Sequence, residues 1–191
     1  MQTRLALVTL GTVLALASGA GAAMQTLTLD PVATKIEFVL GATLHSAEGS
    51  IRVEKGLIEF DADTGTASGE IVIDATSAET GLASRDRNMH ADVLESARFP
   101  RMVFRPERLE VQRRDATSAD VTLRGILDMH GRQLPLALPA KLAARDGRIE
   151  IEIAFDLPYV DWGLVDYSNF VLRVDRFVSV KVHGEGVLAT P

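Results

Sequence analysis

Residues 148–157 read RIEIEIAFDL, a run in which apolar side chains alternate with charged ones at every position except Ala154. Ile149 and Ile151 share one parity, while Glu150 and Glu152 share the other. A period of two places successive side chains on opposite faces of an extended chain. The run therefore predicts a β-strand with one buried face and one solvated face.

The same alternation recurs along the chain, in runs separated by polar or glycine-bearing turns. Further alternating runs lie at residues 35–40, 70–74, 101–105, 120–129, 134–138 and 178–182. Turn sequences lie at residues 61–65, 115–118, 130–132 and 145–147. Many short strands with short connections favour an antiparallel sandwich or barrel over a parallel sheet.

Two features interrupt the pattern. Pro135 and Pro139 cannot donate ladder hydrogen bonds, and they mark their strand as an edge strand or a bulged one. Residues 77–99 lack alternation, and Leu82, Met89 and nearby apolar residues recur at roughly helical spacing. This segment predicts a short helix or two between strands.

The N-terminus reads as a secretory signal. Arg4 precedes an apolar run, Leu5–Ala17, and then a run of small residues, 18–23. The apolar run is shorter than the roughly 20 residues that span a bilayer. We therefore predict a signal peptide at 1–23, a single barrel domain at 24–191, and a periplasmic or secreted protein.

Composition restricts the classes of function. The chain has no cysteine, so it forms no disulfide and offers no site for lipoprotein acylation. Its 26 acidic residues outnumber its 20 basic ones, giving a formal net charge of −6. This balance argues against a nucleic-acid surface, which needs a basic face.

The apolar strand faces could meet in a sandwich or line a closed barrel, and periodicity leaves this choice open. About eight strands close into a barrel that is either filled by side chains or holds one small ligand. The charged residues lie on the opposite parity, which argues against a polar channel. A cavity, if present, is expected to be apolar.

Four segments resemble the YceI-like family. They are RDRNMHADVLESARFPRMVF (85–104), TLHSAEGSI (43–51), LRGILDMHGRQLPLAL (123–138) and VDWGLVDYSNFVLRVDRFVSVKV (160–182). The resemblance implies an all-β fold: an eight-stranded antiparallel lipocalin-like barrel with a short helical insertion. It also implies an exported protein that holds a polyisoprenoid chain in the barrel lumen.

Thirteen residues are predicted to line this lumen. They are Ile36, Phe38, Leu40, Ile71, Ile73, Met102, Phe104, Leu123, Leu127, Ile151, Ile153, Phe155 and Trp162. Trp162 could be a core plug or a lid, and we favour the plug, with Phe155, Tyr159 and Phe170 as companions.

The chain's four histidines do not resemble a metal site, because they lie far apart in sequence. His130 and His183 are expected to be solvated, with His130-Gly131 forming a turn. His45 and His90 lie within the family-like motifs. We interpret His90, Arg85 and Asp86 as anchors of the helix over the barrel, with Asp86 paired to a neighbouring arginine, rather than as ligand contacts.

No catalytic constellation is recognisable, and Asp161 and Asp166 are interpreted as turn formers. We therefore expect a binding protein without enzymatic activity or cofactor. Its expected partner is an isoprenoid-type lipid, without nucleic acid or stable membrane insertion, and a homodimer is left open. The alternatives are a filled-barrel stress or interaction protein without ligand, and a haem- or metal-linked electron-transfer partner.

Overall fold

The computed structural model describes residues 24–43, 46–166, 168 and 173–189. The predicted signal peptide, His45 and Phe170 lie outside these residues. The strands are β1 Gln25–Leu29, β2 Lys35–Ala42, β3 Ala47–Phe60, β4 Ala67–Glu79, β5 Arg101–Arg114, β6 Ser118–Met129, β7 Arg132–Arg145, β8 Arg148–Leu157 and β9 Val174–Ala189. Helix α1, Ala83–Asn88, continues into a π-helical turn, Met89–Val93, and a 3₁₀ helix covers Tyr159–Trp162.

The strands form a closed antiparallel barrel. Each strand from β2 to β9 pairs with the next, and β9 pairs with β2. Strands β1 and β2 both pair with β3 and with β9. Leu27 of β1, for example, lies opposite Ile58 of β3 on one side and Leu188 of β9 on the other. Strands β1 and β2 therefore share one position, and the barrel has the eight positions that the family resemblance implied.

The break between β1 and β2 has a local cause at Asp30. Its carboxylate accepts hydrogen bonds from the backbone N–H groups of Val32 and Ala33, at 3.0 and 3.2 Å. The hydroxyl of Thr34 donates to the Asp30 carbonyl oxygen over 2.7 Å. These bonds turn the chain outward for a few residues, since an aspartate that binds its own backbone favours a turn over a ladder.

The alternation seen in the sequence separates an inner from an outer face. On β8, Ile149 and Ile151 are buried, whereas Glu152 is exposed.

The two prolines of β7 lie where that strand has only one neighbour. Pro135 and Pro139 pair with β6, but β7 pairs with β8 only from Ala140 onward. The proline-bearing half of β7 is thus a local edge, as predicted, because it has no ladder to donate to on that side.

Helix α1 follows β4, and the 3₁₀ helix follows β8. Strands β4 and β8 run in the same direction, because every neighbouring pair between them is antiparallel. Both helical segments therefore lie at one end of the barrel, which we call the insertion end. The opposite end, the far end, carries the turns at residues 61–66, 115–117 and 146–147.

Candidate ligand-binding cavity

The barrel encloses one large cavity of about 800 Å³, lined by inward side chains from all nine strands and from the helical insertion. Protein interiors contain few voids larger than a water molecule. Ligand pockets typically occupy about 300–1,000 Å³. The lumen is therefore not filled by side chains, and its volume suits a ligand.

Twelve of the thirteen residues predicted for the lumen line this cavity. They are Ile36, Phe38, Leu40, Ile71, Ile73, Met102, Phe104, Leu123, Leu127, Ile151, Ile153 and Phe155. Strand parity located them, because one face of every strand in a closed barrel points inward. Their contact with a ligand remains a prediction.

Trp162 is the exception, because it does not line the cavity. Its side chain is only 2% exposed and packs in the core with Tyr159 and Leu164. The indole N–H donates to the carbonyl oxygen of Leu127 over 3.0 Å. The interpretation of Trp162 as a core plug beside Tyr159 and Phe155 therefore agrees with the packing, whereas its assignment to the lumen lining is wrong. Trp162 braces the 3₁₀ helix against β6, and Tyr159 and Phe155 line the cavity.

Part of the cavity lining was not predicted from the sequence. The inward residues of β1, Gln25, Leu27 and Leu29, line the cavity. Their shared parity in the run QTLTL was a usable signal. Polar lining residues such as Thr34 and Thr80 were also missed. No sequence pattern identified these, because strand pairing decides which polar side chains face inward.

Polar residues concentrate at the insertion end. Thr80, Ser84, Arg85 and Asn88 line the cavity there. Ser84 and Asn88 are exposed, as is Val165 at 46%, so the cavity reaches solvent at this end.

The first anchor of the insertion is a cluster around Thr80. Arg85 donates to the hydroxyl and carbonyl oxygens of Thr80, at 2.8 and 3.0 Å. Asp86 accepts a hydrogen bond from the Thr80 backbone N–H over 2.9 Å. The predicted pairing of Asp86 with an arginine is thus wrong, because Thr80 satisfies its carboxylate. The anchoring role proposed for this pair agrees with the geometry, although Arg85 also lines the cavity.

His90 provides a second anchor. Its Nε2 lies 2.9 Å from the carbonyl oxygen of Ala78 on β4, and its Nδ1 lies 2.9 Å from the hydroxyl of Ser96. Because a carbonyl can only accept, Nε2 carries the proton in this bond, and the hydroxyl of Ser96 is the partner of Nδ1. His90 does not line the cavity, so it fastens the π-helical turn to β4.

The other histidines have separate environments. His130 and Gly131 have φ angles of 52° and 75°, in keeping with the predicted turn. The His130 side chain is only 15% exposed, with Nε2 2.7 Å from Glu95, so the expectation that it is solvated was wrong. His183 is exposed on β9. Among the residues described, no three His, Cys, Asp or Glu side chains converge as a metal site would require.

Asp166 forms a turn, as interpreted from the sequence. It accepts from the backbone N–H of Ser168 over 2.9 Å. Hydrogen bonds from the hydroxyl and backbone of Ser168 hold the pKa of Asp166 below its usual value.

Within the described part of the chain, no helix is long and apolar enough to span a membrane.

A closed eight-stranded barrel around an apolar cavity is the architecture of barrel proteins that enclose one small ligand. The protein-family model described as the YceI-like domain matches residues 27–186. The chain therefore belongs to the YceI-like family, and the family resemblance seen in the sequence is confirmed.

Solved structures share this fold at low sequence identity. A polyisoprenoid-binding domain from Saccharophagus degradans, implicated in plant cell wall breakdown, is 18% identical, with a TM-score of 0.63 over 86% of this chain and 98% of that domain. BcnA of Burkholderia cenocepacia is 15% identical, with a TM-score of 0.67 over 82% of this chain and 98% of its own. The YceI protein of Campylobacter jejuni is 16% identical, with a TM-score of 0.59 over 76% of this chain and 85% of its own. No curated protein matches the chain.

Proposed function

We propose that this protein is an exported lipid-binding protein that holds one long apolar chain, of the isoprenoid type, in its barrel. The observation that carries the proposal is the cavity of about 800 Å³, walled by aliphatic and aromatic side chains from every strand. The lining residues that the structure describes do not form a catalytic constellation, so the proposed role is binding without chemistry.

The apolar lining of the cavity indicates the class of ligand that it can bind. Burying a methylene group yields about 0.8 kcal/mol. On the order of ten buried methylene equivalents therefore supply the roughly 8 kcal/mol of micromolar affinity, before ordering costs are subtracted. A chain without polar groups along its length can bind here. The related Saccharophagus degradans domain, described as polyisoprenoid-binding, supports an isoprenoid as that chain.

Export completes the proposal. The basic, apolar and small-residue order of residues 1–23 supports a cleaved signal peptide and a periplasmic or secreted location. N-terminal sequencing of the protein from the periplasmic fraction of its host tests this, and we expect the mature chain to begin near residue 24. A homodimer remains open and can be checked by sedimentation.

The alternative functions have weaker support. A filled barrel without ligand is disfavoured by the volume of the lumen. A haem- or metal-linked electron-transfer role would use histidine nitrogens at the cavity, and none of the described histidines lines it. Both ring nitrogens of His90 are hydrogen bonded, and Nε2 of His130 is held by Glu95.

Mass spectrometry of organic extracts from the purified protein tests the function. We expect a stoichiometric apolar lipid from the wild type. The variant Ile151→Trp places an indole in the lumen and should carry much less, because Ile151 lines the cavity. The control Glu152→Trp adds the same side chain one residue later, on the exposed face, and should carry as much as wild type. Equal and negligible lipid in all three proteins would refute the proposal.

A further inference from the structure

Two buried side-chain atoms have no hydrogen-bond partner in the described part of the chain. They are Oε1 of Gln25 and the hydroxyl of Tyr159. Both residues line the cavity, with Tyr159 at the insertion end and Gln25 at the far end. An unpartnered buried polar group costs about 1–3 kcal/mol. Native proteins rarely tolerate this cost without a reason such as a bound ligand.

Tyr159 has the properties of a hydrogen-bond donor to a ligand. Its side chain is only 3% exposed, and it begins the 3₁₀ helix directly after β8. Burial is the main cause that raises the pKa of its phenol, with a further contribution from the negative charge of Asp166. The hydroxyl therefore keeps its proton at neutral pH and can donate it.

The surroundings of Tyr159 indicate which end of a lipid lies there. The insertion end is the polar end of the cavity, where Thr80, Ser84 and Asn88 also line the wall. Arg85 is the charged residue among the described lining residues, and its guanidinium already donates to Thr80. A buried charge without a partner is costly. Although the cavity opens to solvent at this end, Tyr159 is only 3% exposed, so a head group beside its hydroxyl is out of water and is expected to be uncharged.

We propose that the hydroxyl of Tyr159 anchors the head of the bound lipid by donating a hydrogen bond to an uncharged oxygen. The hydrocarbon tail then runs from the insertion end along the aliphatic wall toward Gln25. The inference rests on the proposed lipid-binding function and adds to it a residue that distinguishes an oxygenated chain from a plain hydrocarbon.

The test uses phytol, phytane and phytyl phosphate, which share one isoprenoid skeleton and differ in the head group. The purified protein is delipidated, and each probe is titrated from cyclodextrin by calorimetry. We expect wild type to prefer phytol over phytane by about 5–20-fold, the size of one buried hydrogen bond. Tyr159→Phe should reduce this ratio to near one while leaving the affinity for phytane unchanged. Gln25→Leu removes the other unpartnered polar group, at the far end, and an anchor at Tyr159 requires that this variant preserve the ratio.

An unchanged ratio in Tyr159→Phe, a ratio lost instead in Gln25→Leu, or tighter binding of phytyl phosphate than of phytol would overturn the anchor while leaving the lipid-binding function in place. Failure of wild type to bind any probe would overturn the proposed function as well. The melting temperature of ligand-free Tyr159→Phe gives an independent readout. We expect it to equal or exceed that of wild type, and a clear decrease would show that the hydroxyl already has a partner.

Discussion

The indole N–H of Trp162 donates a hydrogen bond to the backbone carbonyl oxygen of Leu127, 3.0 Å away and 35 residues earlier in the chain. The bond joins the 3₁₀ helix after β8 to strand β6, across the insertion end of the barrel. It positions the helix that carries Tyr159, and it keeps the lone tryptophan in the core behind the cavity wall.

Trp162→Phe should destabilise the protein without abolishing lipid binding. The variant leaves a buried carbonyl acceptor without its donor and a gap beside it, which costs about 1–3 kcal/mol. Urea unfolding measures the change in the free energy of unfolding. Since Trp162 does not line the cavity, lipid recovered from the purified variant should match wild type. Loss of lipid from a stably folded variant would contradict this placement.

His90→Ala should loosen the helical insertion. The substitution removes both ring hydrogen bonds, to Ala78 and Ser96, and we expect a loss of about 1–3 kcal/mol in unfolding free energy. Limited proteolysis should then cleave within residues 83–93 faster than in wild type. His183→Ala is the control, because His183 is exposed on β9. Equal protease resistance in the two variants would argue against the anchor.

Asp30→Ala should destabilise the protein in a pH-dependent way. Hydrogen bonds from the Ala33 N–H, the Arg148 guanidinium and the Val32 N–H hold the pKa of Asp30 below its usual value. In the unfolded state the pKa of an aspartate is about 3.9. Because the pKa of Asp30 is lower in the folded state, its ionised carboxylate stabilises the protein at pH values above about 3.9. This stabilisation is lost as the pH falls through the folded-state pKa.

Thermal unfolding at several pH values checks the prediction. The difference between wild type and Asp30→Ala should be largest at neutral pH and should shrink below about pH 4. Asp63→Ala alters an exposed carboxylate in another turn and serves as the comparison. A difference that does not vary with pH would mean that the ionised carboxylate of Asp30 is not what matters.

Phe104→Ala should weaken the barrel and enlarge its cavity. Phe104 is 2% exposed and lines the cavity wall, next to Ile71 and Leu127 on the adjoining strands. Removing a buried phenylalanine side chain costs about 3–5 kcal/mol. We expect lower unfolding free energy and a shift of the bound lipids toward bulkier ones. Phe177→Ala, at a residue 55% exposed on β9, should change unfolding free energy by no more than about 0.5 kcal/mol.

Most of the residues assigned to the cavity lining were predicted correctly, because strand alternation is a pattern among neighbouring residues. Ile151 and Ile153 could be assigned inward from their neighbours alone, since strand geometry fixes the period at two. Trp162 was assigned to the lumen lining without any such pattern, and this assignment was wrong. It lies in a 3₁₀ helix, where alternation carries no information, and its place depends on Leu127, a residue distant in sequence.

Residue order alone determined that the chain forms alternating strands with one apolar face, carries a non-alternating insertion and resembles the YceI-like family. These properties depend on side-chain period and local motifs, which neighbouring residues encode. Only the tertiary structure decided that β9 closes onto β2, that β1 and β2 share one position, and that the lumen remains open. Closure and cavity volume depend on pairing register and packing between residues far apart in sequence, and no local pattern specifies them. The burial of the Tyr159 hydroxyl without a hydrogen-bond partner likewise depends on the closed barrel and could not be predicted from the sequence.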